Sequence, residues 1–291
     1  TEIYTLSLHD ALPIYAGRID DFLCLAVEHG MRVMLVLFDD CHRPDPRPGP
    51  QPAPVPGVHN SGWQQSPGRK LVLQFDDGTV PESERARLRD YVQGVLTRFG
   101  RDERVLLWDL YNEPGQSGYG DRSHALLTAV WQWAREVGPA QPLTACLDGA
   151  VGERNLATNA TEADVITFHC YDGAILEAVV RGHLERHGGR PVLCTEYMAR
   201  ETGTTFQHSL PIFRRYRVGC YNWGLVAGKT QTHWNWETVK QLEDLKARGA
   251  ALRPGDPIPE PALWFHDIFR TDGTPFDQRE VEFIRKITAG R

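Results

Sequence analysis

Two glutamates stand out by their settings. Glu113 lies in LYNEPG (residues 110–115), where an amide and a carboxylate follow an apolar run and a proline halts the chain. Glu196 lies in VLCTEYM (residues 192–198), again at the end of an apolar run. Cleavage of an acetal linkage needs one carboxylic acid to protonate the departing oxygen and a second carboxylate on the opposite face. Glu113 suits the acid and Glu196 the partner. Each has a plain rival when taken singly: NEP can be a turn with a carboxylate opening a helix, and TE a surface carboxylate. Two such glutamates, each closing a strand, favour chemistry. If they share one cleft, their carboxyl groups are expected roughly 5 to 5.5 Å apart, the spacing of double-displacement enzymes.

Other candidates sit at the same kind of position. Asp39 and Asp40 end RVMLVLFDD (residues 32–40) and either cap the next loop or reach a ligand. His169 and Tyr171 end ADVITFHCYD (163–172), as site-lining residues or a satisfied core pair, and Trp223 ends VGCYNWGL (218–225), as a platform or as packing. Asp148 beside Gly149 reads as a turn. Residues 43–70 form a long Pro/Gly-rich loop, and long loops inside domains are usually functional or disordered. His59, Asn60 and Trp63 favour a site-lining role for it. His233, Trp234 and Trp236 extend an aromatic surface or anchor a loop.

The elements that position these residues alternate. From residue 17 onward, helix-period segments and apolar runs take turns, as in repeated βα units with a parallel sheet. The spacing predicts helices over Arg18–His29, with Phe22, Leu23, Leu25, Ala26 and Val27 as its apolar face, and over Glu82–Phe99, Arg122–Val137, Ala174–His187, Thr204–Tyr216 and Arg279–Thr288. Strands are predicted at 32–40, 104–114, 142–148, 163–172, 191–197 and 218–225. Chemistry-bearing residues at the C-terminal ends of consecutive strands fit a closed (β/α)₈ ring better than an open sheet, which binds only near its switch point. No Gly-rich phosphate loop follows any strand, which removes support for a nucleotide ligand. Residues 1–15 resemble the translation of a sequencing adapter and are read as a non-native segment, leaving residues 16–291 as one domain.

Composition narrows the partners. With 32 Lys and Arg against 38 Asp and Glu the net charge is −6, so no basic field exists to hold nucleic acid. No apolar stretch is long enough to span a membrane, and no signal peptide is visible. The six cysteines show no zinc-type spacing and read mostly as reduced, buried thiols. No metal or organic cofactor is expected, and a monomer is.

The pair LYNEP and VLCTEY resembles the glycosidase superfamily whose acid/base follows barrel strand four and whose nucleophile follows strand seven. Within it the likeness is to cellulase-type, family 5-like glycoside hydrolases, with members labelled endoglucanase, mannanase or 1,4-β-xylanase. FHCYD (168–172) looks like that family's strand-six motif, and YNWGLVAGKTQTHW (221–234) like strand eight. The resemblance implies that Asn112 binds a sugar 2-hydroxyl, that Tyr171 contacts the nucleophile, and that Trp223 floors the subsite of the attacked sugar. His42 in FDDCHRP matches the family's histidine after strand three. It implies a TIM barrel represented by strands three to eight, with the first two missing, including an arginine often placed near the nucleophile. It further implies a retaining hydrolase acting on β-linked plant-type polysaccharide or oligosaccharide, secreted or periplasmic. The alternatives are an inactive carbohydrate-binding barrel, a structural protein, and a metal-dependent sugar isomerase. The isomerase needs an assisting lysine, and neither Lys229 nor Lys240 ends a strand.

Overall fold

The computed structural model describes residues 8–41, 46–47, 51–147, 149–247 and 258–289. The chain is mixed α/β and divides into two compact units. One comprises Thr1–Gly49 and Gln64–Thr167, the other Pro50–Trp63 and Phe168–Arg291.

In the first unit, α1 (Leu8–Glu28) leads to β1 (Val33–Val36), α2 (Arg69–Asp76), α3 (Glu82–Phe99), β2 (Val105–Asp109), α4 (His124–Val137), β3 (Leu143–Thr144) and α5 (Glu153–Glu162). β1, β2 and β3 form a parallel sheet in that order, with Leu35 opposite Trp108 and Asp109 opposite Thr144. The β2 run VLLWD is buried almost throughout, as expected of a parallel strand covered on both faces. α3 starts after Pro81 with Glu82 and Glu84 in its first turn, where carboxylates favour the helix dipole. It buries Leu88, Val92, Val95, Leu96 and Phe99, a stripe at helical spacing. α4 buries Leu126, Leu127, Val130, Trp131 and Ala134 in the same way and stops at Gly138 in the left-handed region.

Three differences from the sequence expectation have local causes. α1 begins at Leu8 rather than Arg18, and its buried stripe is Ala16, Ile19, Leu23 and Ala26, while Phe22, Leu25 and Val27 are exposed. The apolar face is therefore narrower and rotated from the one expected. α5, and α2 beyond its first two residues, lie in stretches for which the sequence predicts no element, because their polar residues dilute the periodicity; α2 buries only Val72 and Phe75, and α5 buries Asn155 and Asn159. The 142–148 strand shrinks to Leu143–Thr144.

In the second unit, β4 (Ile166–His169), which starts in the first unit, is followed by α6 (Leu176–Arg186), β5 (Val192–Tyr197), α7 (Phe206–Tyr216), β6 (Gly219–Asn222), α8 (Glu237–Ala247) and α9 (Gln278–Thr288). The sheet order is β4, β5, β6, with Cys194 opposite Cys220 in parallel pairing. α7 is capped by Thr205, whose side chain accepts from the His208 N–H, and packs Phe206 and Phe213 edge-on against Tyr197 of β5. Residues 51–63 fold against the segment after β6. The Gln231 amide donates to the carbonyls of Val55 and Val58, and the Asn60 N–H donates to Thr230. All six cysteines are thiols.

Candidate active site

In the first unit the ends of β1 and β2 run on together. The Asn112 N–H donates to the Phe38 carbonyl at 2.7 Å and the Asp40 N–H to the Asn112 carbonyl at 3.3 Å, so Asp39 and Asn112 lie side by side. Glu113 then takes φ 45°, a left-handed conformation uncommon outside glycine. Such a conformation persists only where its surroundings over-determine it, and here they do. Asp40, fully buried, accepts from the Gly115 N–H at 2.8 Å, from the Tyr111 hydroxyl at 2.7 Å and from the Ser123 hydroxyl. The Glu113 N–H meets Cys146 Sγ at 3.3 Å. Gly115 has φ 92°, and a Cβ there would come within 2.0 Å of the Val151 carbonyl, so only glycine fits the turn.

The two aspartates thus separate by role. Asp40 is a support beneath the Glu113 turn, with its oxygens committed to the turn's own donors. Burial pushes its carboxyl up to about 6, against the lowering effect of those hydrogen bonds. Asp39 retains some exposure and is also pushed up to about 6, first by burial and further by the neighbouring Glu113, while the Cys41 and Asn112 hydrogen bonds oppose the shift. The Cys41 thiol lies 2.7 Å from Glu113 Oε2.

The second unit carries the other glutamate. Glu196 is held near the end of β5, and its Oε2 accepts from the Tyr171 hydroxyl at 2.7 Å. His169 Nδ1 lies 3.6 Å from the same oxygen, and both side chains are largely buried. The Tyr171 ring packs edge-on against Trp236, centroids 5.1 Å apart, and beside His266 at 5.5 Å. His266 is fully buried, and its Nδ1 bonds the Met198 carbonyl, so that nitrogen carries the proton and Nε2 is left as a buried acceptor without a partner. Burial lowers His266 to about 3, which keeps it neutral at working pH. His59 stacks edge-on against His266 at 5.5 Å, and its Nδ1 bonds the Trp234 carbonyl. Trp223 continues the β5–β6 pairing through its N–H to the Tyr197 carbonyl and is half-buried, Trp234 is half-buried, and Trp63 is exposed. Thr232 and His233 converge on the buried Asp267. His42 and Asp148 lie outside the described residues.

Sequence reasoning missed Cys41 and His266. Cys41 had a faint signal, following two strand-end aspartates directly. His266 had none, because WFHD (264–267) belongs to no strand or helix and becomes part of the site only through packing.

No family model matches the chain, and no curated protein matches it. Solved structures do. Endo-glycoceramidase II from Rhodococcus sp. matches with TM-score 0.53 at 16% identity, over 90% of this chain and 63% of that one. Its lactosyl-enzyme intermediate matches with TM-score 0.52 at 17% identity over the same shares. A β-glucuronidase from Bifidobacterium dentium, complexed with coumarin-3-O-glucuronide, matches at TM-score 0.43 and 16% identity, over 70% of this chain and 34% of that one. The likeness is one of fold. The chain spans less than two thirds of the length of each of these neighbours.

Proposed function

We propose that the chain is a retaining O-glycosyl hydrolase of the (β/α)₈-barrel type, comprising strands three to eight of the ring, with Glu196 as nucleophile and Glu113 as general acid/base. The observation that carries this reading is the 2.7 Å bond from the Tyr171 hydroxyl to Glu196 Oε2 at the end of a parallel strand. A donor so placed favours the ionised carboxylate that a nucleophile must be. The strained, firmly braced turn at Glu113 supports the acid/base assignment, because backbone strain of this kind clusters at functional sites.

In this mechanism Glu196 attacks the anomeric carbon while Glu113 gives its proton to the departing oxygen, producing a glycosyl ester on Glu196 and a free leaving group. Ester formation removes the charge of Glu196, which favours the ionised form of Glu113. Glu113 then takes a proton from water as the water opens the ester. Asn112 binds the sugar 2-hydroxyl, His169 and Asp39 line the site, and Trp223, Trp234 and Trp63 offer stacking faces to sugar rings. The substrate is a β-linked polysaccharide or oligosaccharide of plant type, in the manner of cellulase-type glycosidases. The Rhodococcus neighbour, captured as a lactosyl-enzyme intermediate, gives independent reason to test a covalent route and a glycolipid substrate.

The test is Glu196→Ala assayed on a panel of aryl β-glycosides, β-glucan, mannan, xylan and a glycosylceramide. Turnover of the responsive substrate drops by roughly 10⁴-fold or more, as for loss of a nucleophile, and azide restores it with inverted stereochemistry at the anomeric carbon. Full activity in that variant overturns the assignment. A parent protein that retains sugars on an affinity gel but turns over no member of the panel is instead a carbohydrate-binding barrel.

A further inference from the structure

Cys41 follows the two strand-end aspartates, and its backbone N–H donates to Asp39 Oδ1 at 2.5 Å, which fixes the loop at the point where it leaves the strand. The Asn112 side-chain amide donates to its sulfur at 3.6 Å. The thiol donates to Glu113 Oε2, 2.7 Å away, with the Asp39 carboxylate as its second hydrogen-bonding neighbour. A carboxylic acid has two oxygens and one proton, and an acid catalyst works only if the proton sits on the oxygen facing the leaving group. A donor fixed on Oε2 makes Oε2 the accepting oxygen and leaves the proton to Oε1.

We propose that Cys41 is a positioning residue for the acid step, its thiol orienting the Glu113 carboxyl so that the proton is delivered from Oε1. This rests on the assignment of Glu113 as general acid/base. A thiol suits the task because it is a weak donor: it selects between two oxygens without holding the group ionised. The groups facing the Glu113 turn in the first unit are Asp39 and Cys41 from the loop after β1, the buried Asp40 beneath, and Cys146 behind the backbone N–H.

The experiment compares the parent with Cys41→Val, Cys41→Ser and Glu113→Gln on aryl glycosides whose leaving groups run from dinitrophenolate to unsubstituted phenolate. Acid assistance matters little for the first and greatly for the last. Glu113→Gln steepens the dependence of kcat/KM, which reports the step that expels the leaving group, on leaving group; if it does not, the acid role of Glu113 itself fails. Given that steepening, Cys41→Val loses about 10-fold in kcat/KM on the phenyl glycoside, a part of the general-acid contribution, and far less on the dinitrophenyl one. Cys41→Ser, which keeps a hydroxyl donor, recovers most of the loss. Cys41→Ala replaces the valine variant if the latter does not yield folded protein. Equal losses on both substrates, no loss at all, or a serine variant no better than the apolar one would each overturn the proposal while leaving the Glu113 assignment standing.

Discussion

Asp40 carries a residue-scale consequence for stability. Its carboxyl titrates at about 6 in the folded chain against 3.8 for an exposed aspartate, so the fold binds its proton more tightly than the unfolded chain does. The stabilising contribution is complete below the unfolded value and lost as pH climbs through the folded one. With about 1.4 kcal/mol for each pH unit separating the two values, it amounts to something on the order of 3 kcal/mol. Between pH 4 and pH 6 the unfolding midpoint of the parent is therefore expected to fall more steeply than that of Asp40→Asn, in which this titration is removed. Parallel melting curves across that interval would show that the turn does not hold Asp40 as described. Asp39 shifts in the same direction and adds to the slope remaining in the variant.

Element-scale order in the second unit depends on a buried ion pair. Arg200, in a 3₁₀ turn after β5, donates to both oxygens of Glu280 in the first turn of α9, at 2.9 and 2.6 Å, and to the carbonyls of Trp264 and Asp267. Its guanidinium also lies over the Phe276 ring, 4.9 Å from the centroid. Those contacts fasten α9 and the 264–267 segment, with it His266, to the end of the strand that bears Glu196. Both members are buried, so removing one strands the other's charge. Arg200→Ala is expected to lower the unfolding free energy by about 3–5 kcal/mol in a denaturant titration. An apolar pair of similar volume, Arg200→Met with Glu280→Leu, loses much less. A change under about 1 kcal/mol in the single variant would contradict this account. The Thr205 cap of α7 is a smaller lever: Thr205→Ala costs about 1 kcal/mol by the same measurement.

Across the whole molecule the chain is acidic, its cysteines are thiols, and among the described residues no helix is long and apolar enough to cross a membrane. Cys146 and Cys194 are fully buried. A reducing agent is therefore expected to leave the thermal midpoint unchanged, and a drop of several degrees in dithiothreitol would reveal a covalent link absent from this fold. What the amino-acid order determined unaided was the alternation of strands and helices and the chemical character of strand ends. Both are local: a parallel strand covered on two faces must be an apolar run, and the residue after it emerges at the C-terminal end. The placement of Glu113, His169, Tyr171 and Glu196 near strand ends was legible for that reason, whereas α2, α5 and α8 were not, because short polar-rich helices carry weak periodicity. Only tertiary structure decided that Asp40 braces the Glu113 turn while Asp39 lies beside it, that the Cys41 sulfur meets Glu113, and that His266 packs against Tyr171. Those relations join positions far apart in sequence, and their partners are selected by the path of loops and the packing of buried side chains, which no local pattern encodes.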